Sequence, residues 1–294
     1  MSPPIALALG IVFALVVGNP WPKQTSKVQK FLLQACVVGL GFGMDLNAVI
    51  DAGRTGFAFT VATIAGTLIL GYVVGKAMGI SSSIRHLISS GTAICGGSAI
   101  AAVGSAMKAD SKEMSVALAT VFVLNAIALF VFPLLGSAFN LSQEQFGIWS
   151  AIAIHDTSSV VGAASRYGMT ALAIATTVKL ARALWIIPLS IVTAFTFHTK
   201  GSKITIPWFI FLFVIASVIR TLVMQSQGGF MIGSQIFPHI IAAAKIGLTL
   251  TLFLIGAGLS KQALREVGVK PLVFGVILWI AISVTSLVVV LGAV

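Results

Sequence analysis

His155 and Asp156 stand side by side in the middle of an otherwise apolar stretch, Ala151-Ile152-Ala153-Ile154-His155-Asp156-Thr157-Ser158-Ser159-Val160-Val161-Gly162. A carboxylate can take up a proton or help hold Na⁺. An imidazole of near-neutral pKa can relay a proton or act as a plain hydrogen-bond partner, and the sequence leaves both roles open for His155. Further on, Lys179 and Arg182 are three residues apart, so they share one helical face. With His155 these cations outnumber Asp156, and a surplus of positive charge suits an anion, Arg offering a planar fork and Lys a point charge. The competing reading is a structural pair of Asp156 with Arg182, with Lys179 snorkelling to the lipid edge.

The run Gly91-Thr92-Ala93-Ile94-Cys95-Gly96-Gly97-Ser98-Ala99-Ile100-Ala101-Ala102 supplies the other half of a site. It is too rich in glycine and hydroxyls for an ordinary spanning helix. A helix break near Cys95-Gly96-Gly97 would give a half-helix starting at Ser98 whose free N–H groups and positive dipole end attract anions. Thr92 and Ser98 add hydroxyl donors, as do Thr157, Ser158 and Ser159 in the second segment. Cys95 reads as a small residue at a tight point within this substrate-binding run. Close packing through small residues, as in Gly71-Tyr72-Val73-Val74-Gly75, is the alternative.

The elements that must position these residues are membrane helices. The chain has 294 residues, 58% hydrophobic and 9% charged, far below the usual quarter. An ionisable group at membrane depth costs at least ~2.5–3.5 kcal/mol, so it normally faces a cavity or a partner. Apolar runs at 3–19, 28–44, 55–76, 84–107, 113–137, 145–165, 168–197, 205–223, 235–259 and 270–294 give about ten membrane-inserted segments. The expectation is an all-α integral membrane protein, one polytopic domain over residues 1–294, multi-pass in the cell inner (plasma) membrane. Lys and Arg total 18 against 7 Asp and Glu. The basic residues cluster in short connections, which fits the positive-inside rule and argues against a nucleic-acid partner. Cys36 and Cys95 both lie in apolar segments and form no metal or disulfide pattern.

With ten full spans, Lys23, Lys27, Lys30, Lys76, Arg85, Lys200, Lys203, Lys261, Arg265 and Lys270 fall in odd connections, which places these inside; Arg54, Lys108, Lys112, Arg166 and Arg220 fall in even ones. If the fourth and sixth segments dip in and return to the same side, Lys108 and Lys112 move inside and the bias sharpens. Broken spans and re-entrant hairpins both stay open. A shift of 215 residues lays Gly41, Gly43, Ala48 and Gly53 over Gly256, Gly258, Ala263 and Gly268, and a shift of 60 lays Ile94 and Ser98 over Ile154 and Ser158. Because an odd number of spans separates the first pair of copies, the repeats should be inverted. Asp45, Asp51, Asp110, Glu113, Glu144 and Glu266 lie at segment edges. Lys245 and Asn125 lie inside segments, Lys245 to snorkel or line a path and Asn125 to bond across helices.

These motifs, with Val178-Lys179-Leu180-Ala181-Arg182, Pro207-Trp208-Phe209 and Lys270-Pro271-Leu272, make the chain similar over nearly its whole length to the sulfate-exporter (YeiH-type) membrane proteins. The resemblance implies kinship with the bile-acid/sodium symporter and cation/proton antiporter superfamily, with inverted repeats and two discontinuous segments meeting near the membrane midplane. It also implies an anionic substrate, nominally sulfate. Members typically carry His-Glu where this chain has His155-Asp156, then amide-bearing or apolar residues where it has Thr157-Ser158-Ser159, which leaves substrate and coupling ion open.

The expected function is secondary active transport of a small anion, such as a sulfur oxyanion, sulfonate or carboxylate, by alternating access. Thr92, Cys95, Gly96, Gly97, Ser98, Thr157, Ser158, Ser159, Lys179 and Arg182 would bind it, and His155 and Asp156 would couple it to Na⁺ or H⁺. No nucleotide-binding motif, cofactor or metal site is expected, and a homo-oligomer stays open. The alternatives are a cation/proton antiporter using Asp156, a channel, and an intramembrane hydrolase pairing Ser158 or Ser159 with His155. The last needs nucleophile and base in hydrogen-bond contact, and the first reading expects no enzyme.

Overall fold

The computed structural model describes residues 3–44, 46–197, 208–258 and 268–293. Asp45, Lys200, Lys203, Pro207, Lys261, Ala263, Arg265 and Glu266 lie outside the described residues. Among those described, every regular element is a helix: α1 Pro3–Val16, α2 Pro22–Gly41, α3 Leu46–Ala77, α4 Ser82–Ala93, α5 Gly97–Met107, α6 Ser111–Ala138, α7 Gln143–Ala153, α8 Thr157–Tyr167, α9 Met169–Ala183, α10 Ile186–Thr196, α11 Trp208–Gln225, α12 Gln227–Gly258 and α13 Val269–Ala293. Among the described residues, six stretches are long and apolar enough to cross a membrane: Ala58–Ala77, Lys112–Ala138, Met169–Thr196, Trp208–Gln225, Gly229–Gly258 and Val269–Gly292.

Helix ends differ from the apolar runs where local chemistry sets them. Pro22 occupies the first turn of α2, so that helix starts six residues before the uncharged run and carries its lysines along. Ser81, Asp110 and Ser142 cap α4, α6 and α7, the last through a full capping box with Gln145. The apolar run 168–197 is interrupted at Leu184-Trp185, because Pro188 has no N–H to return to the Leu184 carbonyl.

The chain forms two compact units. The first, residues 1–55 and 207–260, packs α1 and α2 against α11 and α12. Small residues let the backbones approach: a methyl on Gly10 would lie 2.1 Å from the Phe253 carbonyl oxygen, and one on Gly41 2.6 Å from that of Phe213. Ser217 Oγ donates to the Gly41 carbonyl at 3.2 Å, and the Leu46 N–H donates to Thr221 Oγ1 at 2.9 Å.

The second unit, residues 56–206 and 261–294, is built around two helical hairpins. In the first, α5 turns back along α4. A methyl on Gly91 would meet the Ile100 side chain at 2.8 Å, and one on Gly104 would meet the Leu87 side chain at 3.4 Å, so residues equidistant from the turn at Ile94–Gly96 face each other. In the second, α8 turns back along α7. Phe146 and Tyr167 stack with ring centroids 3.8 Å apart, and Tyr167 Oη donates to the Leu141 carbonyl at 2.6 Å. Its turn is Ile154–Asp156.

Helix α6 runs from the open end of the first hairpin to the open end of the second. At 28 residues it is about 42 Å long, and its midpoint lies at both turns. The α9–α10 pair runs the other way: Gln143 Oε1 accepts from the Thr170 N–H at one end, and His86 Nε2 lies 2.8 Å from Thr193 Oγ1 at the other. Its middle residues, Lys179 and Arg182, therefore arrive where the two turns are.

The hairpin packing carries a stability prediction. A side chain on Gly136 of α6 would enter the Phe146–Tyr167 stack, 2.5 Å from Phe146 and 2.9 Å from Tyr167. Gly136→Leu should destabilise the detergent-purified protein by about 1–3 kcal/mol through overpacking. An unchanged melting temperature would contradict this packing of α6 on the second hairpin.

Candidate functional site

Backbone that leaves the helix at the two turns frees carbonyl and N–H groups that need partners wherever water is absent. The free carbonyls end α4 and α7, at the negative ends of two helix dipoles, where cations are stabilising. Lys179 is fully buried, and its Nζ donates to the carbonyls of Ile94 at 2.9 Å, Ile154 at 2.8 Å and Ala151 at 3.2 Å. All three ammonium protons are thereby used. Arg182, also fully buried, donates from Nη2 to the Ala93 carbonyl at 2.5 Å and from Nη1 to Thr63 Oγ1 at 2.8 Å. Trp279 Nε1 donates to the Ala153 carbonyl at 3.1 Å.

The free N–H groups begin α5 and α8. Asp156 caps α8, its carboxylate accepting from the N–H groups of Ser158 at 3.0 Å and Ser159 at 3.3 Å and from the Ser158 hydroxyl. Asn125 Oδ1, from the middle of α6, accepts from the N–H groups of His155 at 3.0 Å and Asp156 at 3.2 Å. The N-terminus of α5 is different. Its cap is Gly96, which has no side chain, and the N–H groups of Gly97 and Ser98 have no protein acceptor among the described residues.

The turns touch at Gly96. A methyl there would lie 3.4 Å from the His155 carbonyl carbon and 3.5 Å from Asp156 Cα, and its φ of +63° is a conformation that favours glycine. The sequence's two motifs and two cations are thus brought together at one point. Thr92, Cys95, Gly96, Thr157, Ser158, Ser159 and His155 are buried there, Gly97 and Asp156 are part-buried, and Ser98 is exposed. Several buried polar atoms in or beside the point have no hydrogen-bond partner among the described residues: Thr92 Oγ1, Asn125 Nδ2, both ring nitrogens of His155 and Arg182 Nε.

Two sequence-level alternatives meet different geometry. Asp156 caps α8 and makes no ion pair with Arg182 or Lys179 among the described residues, and Lys179 is buried among carbonyls and does not reach a lipid edge. The Ser158 hydroxyl bonds Asp156, while the His155 ring has no hydrogen bond among the described residues, so the nucleophile–base contact of the hydrolase reading is not formed there. Sequence reasoning passed over Thr63 and treated Asn125 as a generic cross-helix contact. The amide at the midpoint of an apolar span was the available signal for the latter.

This arrangement defines a polytopic helical membrane protein with two hairpin turns meeting in its interior. The chain belongs to the UPF0324 membrane protein family. A family model, "Conserved hypothetical protein 698", matches residues 2–288. UPF0324 membrane proteins of Bacteroides thetaiotaomicron and Porphyromonas gingivalis are 52% and 50% identical, each over 98% of this chain and 86% of the relative. That of Geobacter sulfurreducens is 49% identical over 96% of this chain and 89% of its own length. No solved structure matches the chain.

The division of labour among the charges is testable. Lys179→Met would orphan three buried carbonyls at about 1–3 kcal/mol each, so it should unfold the purified protein or lower its melting temperature sharply. Asp156→Asn keeps an N-cap acceptor and should cost less than about 1 kcal/mol. Equal melting temperatures for wild type and Lys179→Met would refute the capping role.

Proposed function

We propose that this protein is a secondary transporter of a small anion, coupled to H⁺ or Na⁺. The observation that carries the reading is the meeting of two helix turns, with a surplus cation buried behind them and the uncapped N-terminus of α5 accessible in front. The anion would bind the free N–H groups of Gly97 and Ser98 with the Ser98 hydroxyl, at the positive end of the α5 dipole. Thr92, Thr157, Ser158 and Ser159 would complete its surroundings, with Cys95 and Gly96 keeping the turn small. Lys179 and Arg182 would contribute charge from behind, their donors being largely committed to backbone carbonyls and Thr63.

Asp156, part-buried beside that N-terminus, would exchange a proton or a Na⁺ as the anion comes and goes. His155, with both ring nitrogens unpaired, would exchange hydrogen bonds with ligand or water.

In a bilayer the two hairpins would be re-entrant, entering from opposite sides, since α6 joins their open ends across a membrane-length span. This supports the count with Lys108 and Lys112 inside, and an orientation in the cell inner membrane with the first hairpin opening to the cytoplasm. The Ile94 and Ile154 carbonyls, paired by the 60-residue shift, share one lysine. The first unit likewise draws α2, which ends at Gly41, and α12, which ends with Gly256 and Gly258 of the 215-residue match, from the two ends of the chain. Both features support inverted repeats, about ten inserted segments, kinship with the sulfate-exporter proteins and alternating access.

A second reading has one observation in its favour. Among the charged side chains at the turns the carboxylate is the accessible one, while the cations are buried and held largely by backbone, which suits cation/proton antiport through Asp156.

Ser98 is exposed, so Ser98→Leu should change stability by no more than about 0.5 kcal/mol while filling the anion position. The purified wild type should be stabilised by at least one of sulfate, sulfite, thiosulfate, a sulfonate or a carboxylate, and Ser98→Leu should not. Stabilisation of both alike, or of neither, would reject the anion site. Proton flux in liposomes driven by Na⁺ or K⁺ without any anion would establish the antiporter instead.

A further inference from the structure

A cavity of about 110 Å³ lies at the open end of the first hairpin, away from the meeting point of the turns. Its walls include Tyr72 of α3, Ser82, Arg85 and His86 of the first turns of α4, and Thr196 and Phe197 where α10 ends. Among the described residues no acidic side chain lines it. The Arg85 guanidinium lies 4.8 Å from the centre of the Tyr72 ring, a cation–π contact. Unlike Arg182, Arg85 has no hydrogen-bond acceptor among the described residues, so its donors are uncommitted. His86 lies against Phe197, 5.3 Å between ring centroids, and its Nε2 is held by Thr193. The cluster is therefore a fixed aromatic and hydroxyl cup with one unused planar cation, the geometry that suits a phosphate or carboxylate.

The surroundings select the source of that anion. Beside the cavity, Ile69, Tyr72 and Val73 form one exposed face of α3 and Phe195 is exposed on α10, an apolar surface on two stretches of membrane-spanning composition. Lys76, exposed, ends α3 one turn further on. An acyl chain along that face would bring its headgroup to Arg85. The connection bearing Lys76 and Arg85 is also among those that charge counting assigns to the cytoplasm, where anionic lipids attract basic groups.

We infer that the cavity between Tyr72, Arg85, His86 and Phe197 binds the phosphate of an anionic phospholipid from the cytoplasmic leaflet. Arg85 makes the charge-assisted bonds, Ser82 adds a hydroxyl, and Tyr72 keeps the guanidinium in place.

The test is a thermal-shift titration of the full chain purified in detergent, with phosphatidylglycerol, phosphatidylcholine and inorganic phosphate as separate arms. Phosphatidylglycerol should stabilise the wild type, with phosphatidylcholine and inorganic phosphate much weaker. Arg85→Gln should raise the half-saturating concentration of phosphatidylglycerol on the order of tenfold. Arg166→Gln, which removes a cation elsewhere, should leave it unchanged. Should Arg85→Gln fail to fold, Arg85→Lys serves, and a loss of several-fold is expected because the fork is gone. Wild-type affinity in the Arg85 variants would overturn the site. Equal stabilisation by inorganic phosphate would overturn the lipid as its occupant, as would equal loss in Arg166→Gln.

Discussion

Two turns of non-helical backbone in the interior of an apolar protein can exist only if their carbonyls find donors, and Lys179 supplies three at once. The rest of the second unit follows from that requirement. One ammonium can reach Ile94 and Ile154 together only if both turns come to the same point. That demands two hairpins of similar depth, α6 long enough to join their opposite open ends, and α9 aligned so that its middle meets them. Arg182 and Trp279 complete the accounting at Ala93 and Ala153.

The charges obey the dipoles. Cations sit at the ends of α4 and α7, and a carboxylate sits at the start of α8. One of the four helix ends at the turns, the start of α5, has no side-chain cap, and its Ser98 is exposed. The contact between the turns and the positive φ require glycine at the cap position Gly96, so this last end carries no capping side chain.

Much of this was legible in the sequence. Gly96-Gly97 and His155-Asp156 interrupt apolar runs with residues that no lipid-facing helix tolerates, and Lys179 with Arg182 is too costly at that depth to lack a partner. The partner itself was not legible. Charge arithmetic points Lys179 and Arg182 toward Asp156 or a substrate, whereas they bind carbonyls, and backbone acceptors are invisible in a list of side chains. Thr63 was missed for a related reason, since a single threonine in a spanning run is ordinary. That the interrupted segments fold as hairpins also escaped, because lengths near twenty residues suit a span and a hairpin alike; the turning back shows only in contacts between distant residues, Leu87 beside Gly104 and Phe146 stacked on Tyr167. Pro188, by contrast, announces the interruption between α9 and α10 outright.

In the proposed site Lys179 holds the turns together from behind and a ligand binds in front at Ser98. A cryo-electron-microscopy map of the full chain in lipid nanodiscs, with and without an anion that stabilises it, tests this most directly. The expected result is the Lys179 ammonium against the Ile94 and Ile154 carbonyls in both maps, with added density at the Gly97 and Ser98 N–H groups only when the anion is present. Anion density coordinated by the Lys179 ammonium, with those carbonyls released, would contradict it.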